Sequence, residues 1–211
     1  MPNWCENFIH VTGPSKDQKA FRDQIRHVLL DWGNHAANLK AEIDACKVPT
    51  KKLRLISGLN EYLSGTRDER NLFASFVKPP LTVVSEGYRD AGYNWCINNW
   101  GTRWDVDEFD EQVTAIDTVK EQTSYSFLSA WSPPIEWLKL VGPKFPTLTF
   151  SMGFYEGGCW FAGTCVVHDK ECEIWNCPTD RIKEFAIEHF GAEFDDTEED
   201  MLDGTTTDEG P

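Results

Sequence analysis

From residue 147 to 154 the chain alternates, with Leu148, Phe150, Met152 and Phe154 on one side and Thr147, Thr149 and Ser151 on the other. A period of two with one apolar side predicts an antiparallel strand covered on one face. "CWFAGTCVVH" (159–168) and "CEIWNC" (172–177) continue as two further strands, turned at "EGG" and "DKE". Near the start, "NWCENFIHVT" (3–12) is another strand, with Ile9 and Val11 bracketing His10 and Phe8 opposite, and Gly13-Pro14 stops it. A helical period then takes over. Phe21, Ile25, Val28 and Leu29 share a face and Ser15 with Gln18 spells a capping box, so a helix of about four turns is expected.

Residues 33–70 read as a polar helical insertion in which Leu53, Ile56, Leu59 and Leu63 keep a loose helical spacing. "NLFASFVKPP" (71–80) is expected to return to strand before its two prolines. "EQVTAIDTVKEQTSYSFLSAW" (111–131) predicts a hairpin with Tyr125, Phe127, Ser129 and Trp131 on one face. Ser132 caps a short helix in "PPIEWLKLVG" that Gly142 closes. A last helix over 179–190 turns Ile182, Phe185 and Ala186 inward and stops at Gly191. The sum is an α+β fold: an antiparallel sheet with helices on one face, built as a ferredoxin-like βαββαβ core with a helical insertion and extra C-terminal hairpin strands. Residues 1–191 form one domain, its ferredoxin-like part at about 111–191, and 192–211 form a disordered acidic tail.

Composition narrows the function. Thirteen Phe and nine Trp in 211 residues supply a sizeable core, and no run of 18 apolar residues offers a membrane span. The N-terminus lacks the basic-then-apolar layout of a secretory signal. Its seven cysteines are therefore expected to be reduced thiols in a cytoplasm. Net charge is −15, and residues 190–211 hold nine acids and no base, leaving 26 acids against 20 bases elsewhere. Such a surface repels phosphate backbones, so direct nucleic-acid binding is not expected. A protein that is basic or itself binds nucleic acid is the natural partner, while acidity kept only for solubility is the plain alternative. Nothing in the sequence sets the oligomeric state.

The segment with most chemistry is "YNWCINNWGTRWD" (93–105). On a helix, Tyr93, Ile97, Trp100 and Trp104 form one stripe, Gly101 suits the end, and Asn94 and Asn98 lie a turn apart with amides available to backbone groups. One reading is a core helix. The other is a site in which Trp95 or Trp104 stacks a flat ligand while Asn98, Asn99 and Arg103 bond its edge. Asp105, Tyr155 and Glu156 complete the candidate set, and the two carboxylates form the weakest case, a shared acid/base pair. Cys165, His168, Cys172 and Cys177 invite zinc, but Cys165 and His168 have opposite parity on one strand. Cys5 and His10 fail as a nucleophile pair for the same reason. "DVDEFDE" (105–111) lacks the spacing of a calcium loop. With no phosphate-binding loop, dinucleotide fingerprint or nucleophile elbow, no catalytic residue, cofactor or metal is expected.

"MPNWCENFIHVTGP", "YNWCINNWGTRWD" and "AWSPP" followed by "YEGG" together resemble the YubB-like family of phage and plasmid proteins over roughly residues 1–168. The helical insertion around 33–70 and the acidic tail depart from that pattern. The resemblance implies a ferredoxin-like C-terminal part, a mobile-element origin and a cytoplasmic setting in a bacterial host. The expected function is that of an accessory protein that binds and inhibits a host protein, such as a defence factor. Binding of a nucleotide or small ligand at 93–105 is the alternative.

Overall fold

The computed structural model describes residues 3–194 except 27, 29, 31, 34, 65–70, 107, 108 and 116–119. The alternating stretches become β1 (Trp4–Pro14), β2 (Asp110–Ala115), β3 (Lys120–Ala130), β4 (Thr149–Glu156), β5 (Phe161–His168) and β6 (Glu171–Asn176). All pairings are antiparallel, in the order β2-β3-β1-β4-β5-β6. Helices α1 (Ser15–Gln24) and α6 (Ile135–Val141) link β1 to β2 and β3 to β4. The βαββαβ unit thus has the split order β2-β3-β1-β4 of a ferredoxin-like fold, and β5 and β6 extend it beyond β4. The N-terminal strand is the unit's centre, since β1 lies between β3 and β4.

Two helices, α2 (His35–Ala45) and α3 (Pro49–Ser64), form the insertion and pack on each other. After α4 (Leu81–Glu86), a π-helical turn at Tyr88–Gly92 runs into α5 (Tyr93–Trp100). The core lies between α1, α5, α6 and the face carrying Cys5, Ile9, Val11, Tyr125, Phe127, Phe150 and Met152. Phe21 stacks on Phe76 with centroids 4.5 Å apart and meets Phe145 edge-on, and Phe73 sits among Trp100, Phe127 and Trp137. The helix α7 (Ile182–Phe190) departs from the one-face layout. It covers the opposite face of β4 and β5, where Tyr155, Ala162, Ile182, Phe185 and Ala186 form a second apolar cluster. Ala192 and Phe194 pack there too, so the first residues of the expected tail are part of the fold, while 195–211 lie outside the described residues.

Several local expectations are corrected. Helix α1 stops at Gln24, short of the expected four turns, and Ile25 is extended. Side-chain competition explains the stop: Ser75 Oγ accepts the Arg26 N–H at 3.0 Å and Asn71 Oδ1 accepts that of Val28 at 2.9 Å. Leu29 lies outside the described residues. The N-cap falls on Pro14, and Gln18 has a second task on its side chain. Its buried amide donates to the Gly13 carbonyl at 3.0 Å and accepts from the Thr123 N–H at 3.0 Å, tying α1 to β3. Residues 71–80 form a compact turn instead of a strand, touching Arg26 through one isolated bridge at Asn71. The Asp105 carboxylate takes the N–H groups of Phe73 and Ala74, which a strand would have offered to a ladder. Ser132 donates to the Gly101 carbonyl at 2.6 Å instead of capping α6, whose N-cap is Pro134.

Candidate functional site

The segment 93–105 is first a core helix. Cys96 and Trp100 are fully buried, and the Trp100 indole N–H donates to the Val77 carbonyl at 2.8 Å. Trp95 stands edge-on to Trp100, with centroids 5.3 Å apart. The expected stripe does not form. Gly101 takes the left-handed conformation (φ 82°) and ends α5, so Trp104 falls outside the helix, and Tyr93 lies on its exposed side. A residue with a Cβ is disfavoured at that φ, which is why glycine stops the helix there. Asn98 is exposed, whereas Asn99 bonds back to the Trp95 carbonyl at 2.9 Å, the role expected of Asn94 and Asn98.

The loop that follows is sewn to the end of β3. Thr102 donates to the Ala130 carbonyl at 2.9 Å, and the Tyr88 hydroxyl to the Arg103 carbonyl at 2.8 Å. The Arg103 guanidinium lies 4.3 Å from the Trp131 ring centroid and 5.8 Å from that of Tyr93, so aromatic faces hold it. Asp105 and Glu156 are both committed to backbone. Asp105 Oδ1 accepts from Phe73 and Val106, each at 2.8 Å, and Oδ2 from Ala74 at 2.6 Å. Buried Glu156 accepts the N–H groups of Gly158 (2.8 Å) and Cys159, holding the turn between β4 and β5. Tyr155 points to the α7 side, against Trp160 and Phe190.

What the fold assembles is a tryptophan rim at one end of the sheet. Trp4 opens β1 and meets Trp104 edge-on at 6.2 Å. The Trp131 N–H donates to the Asn3 carbonyl at 2.9 Å, and the Asn3 amide reaches the Cys159 sulfur at 3.5 Å, beside Trp160. Trp4, Trp104 and Trp160 are 45%, 38% and 38% exposed. Trp131 and Trp160 both have left-handed backbones (φ 72° and 56°), rare for bulky residues and a form of strain that concentrates at functional positions. The Trp131 indole nitrogen is buried without a hydrogen-bond partner among the described residues. Of the sequence-expected set, Arg103 and Trp104 belong to this rim and Glu156 supports it. Trp4, Trp131 and Trp160 were missed. The one signal for them was the abundance of tryptophan beside the matched motifs.

Beneath Trp104 lies an apolar cleft of about 260 Å³ lined by Leu30, Trp32, Tyr88, Cys96, Trp100 and Asp105 as well. Asn98, Asn99 and Arg103, the groups expected to read a ligand's edge, do not line it. Burial raises the Cys96 thiol to about 12 and pushes Cys5 higher still, and Cys5 and His10 point to opposite faces of β1. All seven cysteines are free thiols, with Cys165 and Cys172 sulfurs 3.8 Å apart. Among the described residues, no group of His, Cys, Asp and Glu could hold a metal, and no helix is long and apolar enough to cross a membrane. Asp107, within the acidic run considered for a cation, lies outside those residues.

No curated protein matches the chain. Among solved structures it is similar to protein api92 from Yersinia pseudotuberculosis, with a TM-score of 0.52 and 9% identity, covering 84% of this chain and 99% of that one. At such identity the likeness shows the fold alone. Residues 99–202 match the family model described as a ferredoxin-like domain in Api92-like protein, so sequence and topology agree on a ferredoxin-like α+β protein.

Proposed function

We propose that the protein is an accessory binding protein that docks its tryptophan rim on another protein of basic character and blocks it. The carrying observation is that Trp4, Trp104 and Trp160, all partly exposed, lie at one end of the sheet, where Arg103 stacks on Trp131. Tryptophan, tyrosine and arginine dominate the energy of protein interfaces. The strained backbones of Trp131 and Trp160 present the rings in a fixed pose, which lowers the ordering cost of binding. The net charge of −15 favours a basic partner and steers it by long-range attraction. In the finer reading, which rests on the resemblance to phage and plasmid proteins, the partner is a bacterial host protein such as a defence factor.

Immobilised protein is exposed to bacterial lysate beside a Trp4→Ala/Trp104→Ala variant, and the retained partner is purified for titration. The expected result is a basic protein held by the native chain and bound at least tenfold more weakly by the variant, both melting within a few degrees. Equal retention by both sinks the proposal. The cleft under Trp104 supports a second reading, a flat small ligand. A thermal-shift screen with mono-, di- and cyclic nucleotides tests it, because a bound ligand raises the melting temperature by mass action.

A further inference from the structure

On the sheet face opposite the core, α7 covers β4 and β5 and reaches Phe8 of β1, while Ser126 and Leu128 of β3 are exposed there. A cleft of about 380 Å³ lies along its margin. Phe8 and Phe190 form one wall, with ring centroids 5.4 Å apart, and His189 stands beside them. Phe8 leans towards β4 because residue 153 is glycine: a Cβ there would come within 2.3 Å of the Phe8 ring. Ser126 and Leu128 of β3 make the floor. Two carboxylates flank it, Glu6 from β1 and Asp110 from β2.

Those carboxylates set the chemistry. Among the described residues, the lining contains no lysine or arginine, and neither acid is in an ion pair. Partial burial raises the Glu6 carboxyl, the mark of an acid that has lost water without gaining a cation. Asp110 pairs with Ser126, Ser126 with Phe8, and Glu6 lies two positions along β1 from Phe8. Strand spacing and rise then set the two Cα atoms roughly 12 Å apart, with both side chains reaching into the same cleft from opposite sides.

We infer that this cleft binds a short-chain organic diamine, with one ammonium on Glu6, the other on Asp110, and the alkyl chain lying over Leu128 and against Phe8. A cleft that is part apolar with two convergent charges suits such a ligand in polarity, and the spacing of the two acids sets its length. The aromatic wall adds cation–π attraction at one end. An anion is repelled by both acids, and a purely apolar molecule leaves them unpaired. The inference is independent of the tryptophan rim.

Titration calorimetry of the full chain with 1,4-diaminobutane tests it, with 1-aminobutane as a single-charge control of equal length. Saturable one-to-one binding is expected, weaker by at least tenfold for the monoamine. Glu6→Gln and Asp110→Asn should each weaken diamine binding at least fivefold. Ser126→Lys, at an exposed floor position, should abolish it by supplying a tethered ammonium, and amide spectra confirm that each variant is folded. No saturable heat up to about 10 mM diamine overturns the inference. So does equal affinity for the monoamine, or unchanged binding by Glu6→Gln/Asp110→Asn.

Discussion

Replacing Asp105 with alanine separates a structural carboxylate from a ligand-binding one. In the native fold its two oxygens accept three backbone N–H groups, from Phe73, Ala74 and Val106, at 2.8, 2.6 and 2.8 Å. Hydrogen bonds to a charged acceptor contribute about 1.5–3 kcal/mol each, and the partial exposure of Asp105 itself argues for the lower end. Three such bonds give about 4.5 kcal/mol. Phe73, which the turn presents to Trp100, Phe127 and Trp137, loses its anchor at the same time. For a chain of this size, a loss of about 4.5 kcal/mol lowers the melting temperature by roughly 9–18 °C. Asp105→Asn keeps one acceptor oxygen but turns an amide donor towards one of the N–H groups, so about half the loss is expected. Urea unfolding at neutral pH measures all three proteins. If Asp105→Ala falls within about 1 kcal/mol of the native value, the carboxylate does not hold the turn, and this account of residues 71–77 is wrong.

Gly153→Ala should cost about 1–3 kcal/mol, because its Cβ would lie 2.3 Å from the Phe8 ring. In a Phe8→Ala background the same change should be nearly neutral, and a double-mutant cycle of urea midpoints that shows simple additivity refutes the contact. The pH dependence of stability should carry a His10 component. Burial lowers the His10 imidazole below its ordinary 6.5, so the unfolded chain takes the proton first as pH falls. The contribution is therefore complete above 6.5 and is lost as pH drops through 6.5 towards the folded value. His10→Gln should flatten stability between about pH 5 and 7 relative to the native protein, and parallel curves over that range contradict the assignment.

Strands and the last helix were legible because their patterns are local. The alternation at 147–154 and the inward triplet Ile182, Phe185 and Ala186 both reflect a backbone period that burial rewards directly. Errors arose where a distant side chain outbid the local pattern. "NLFASFV" has strand composition, but Asp105, Trp100 and Trp137 all bond its backbone from elements at least 23 residues away. Helix α1 ended early for the same reason, through Ser75 and Asn71. Periodicity contains no term for such long-range capture.

The site was harder to read because its meaning turns on single backbone angles. Had α5 continued through Gly101, Trp104 would have stayed on the stripe and been buried, and the reading of 93–105 would have been purely structural. One left-handed glycine ends the helix four residues sooner and leaves Trp104 against Trp4, a residue 100 positions away in sequence. Trp131 and Trp160 reach the same rim through positive φ angles that their residue type argues against. A conformation disfavoured by the residue that adopts it leaves no trace in propensity or spacing. Tertiary contacts hold both backbones there: Trp131 through the Asn3 carbonyl and the Arg103 stack, Trp160 through Tyr155 and Phe194. The strain therefore belongs to the assembled sheet end, where the tryptophans become a surface only after β1, β3 and the β4–β5 turn have come together.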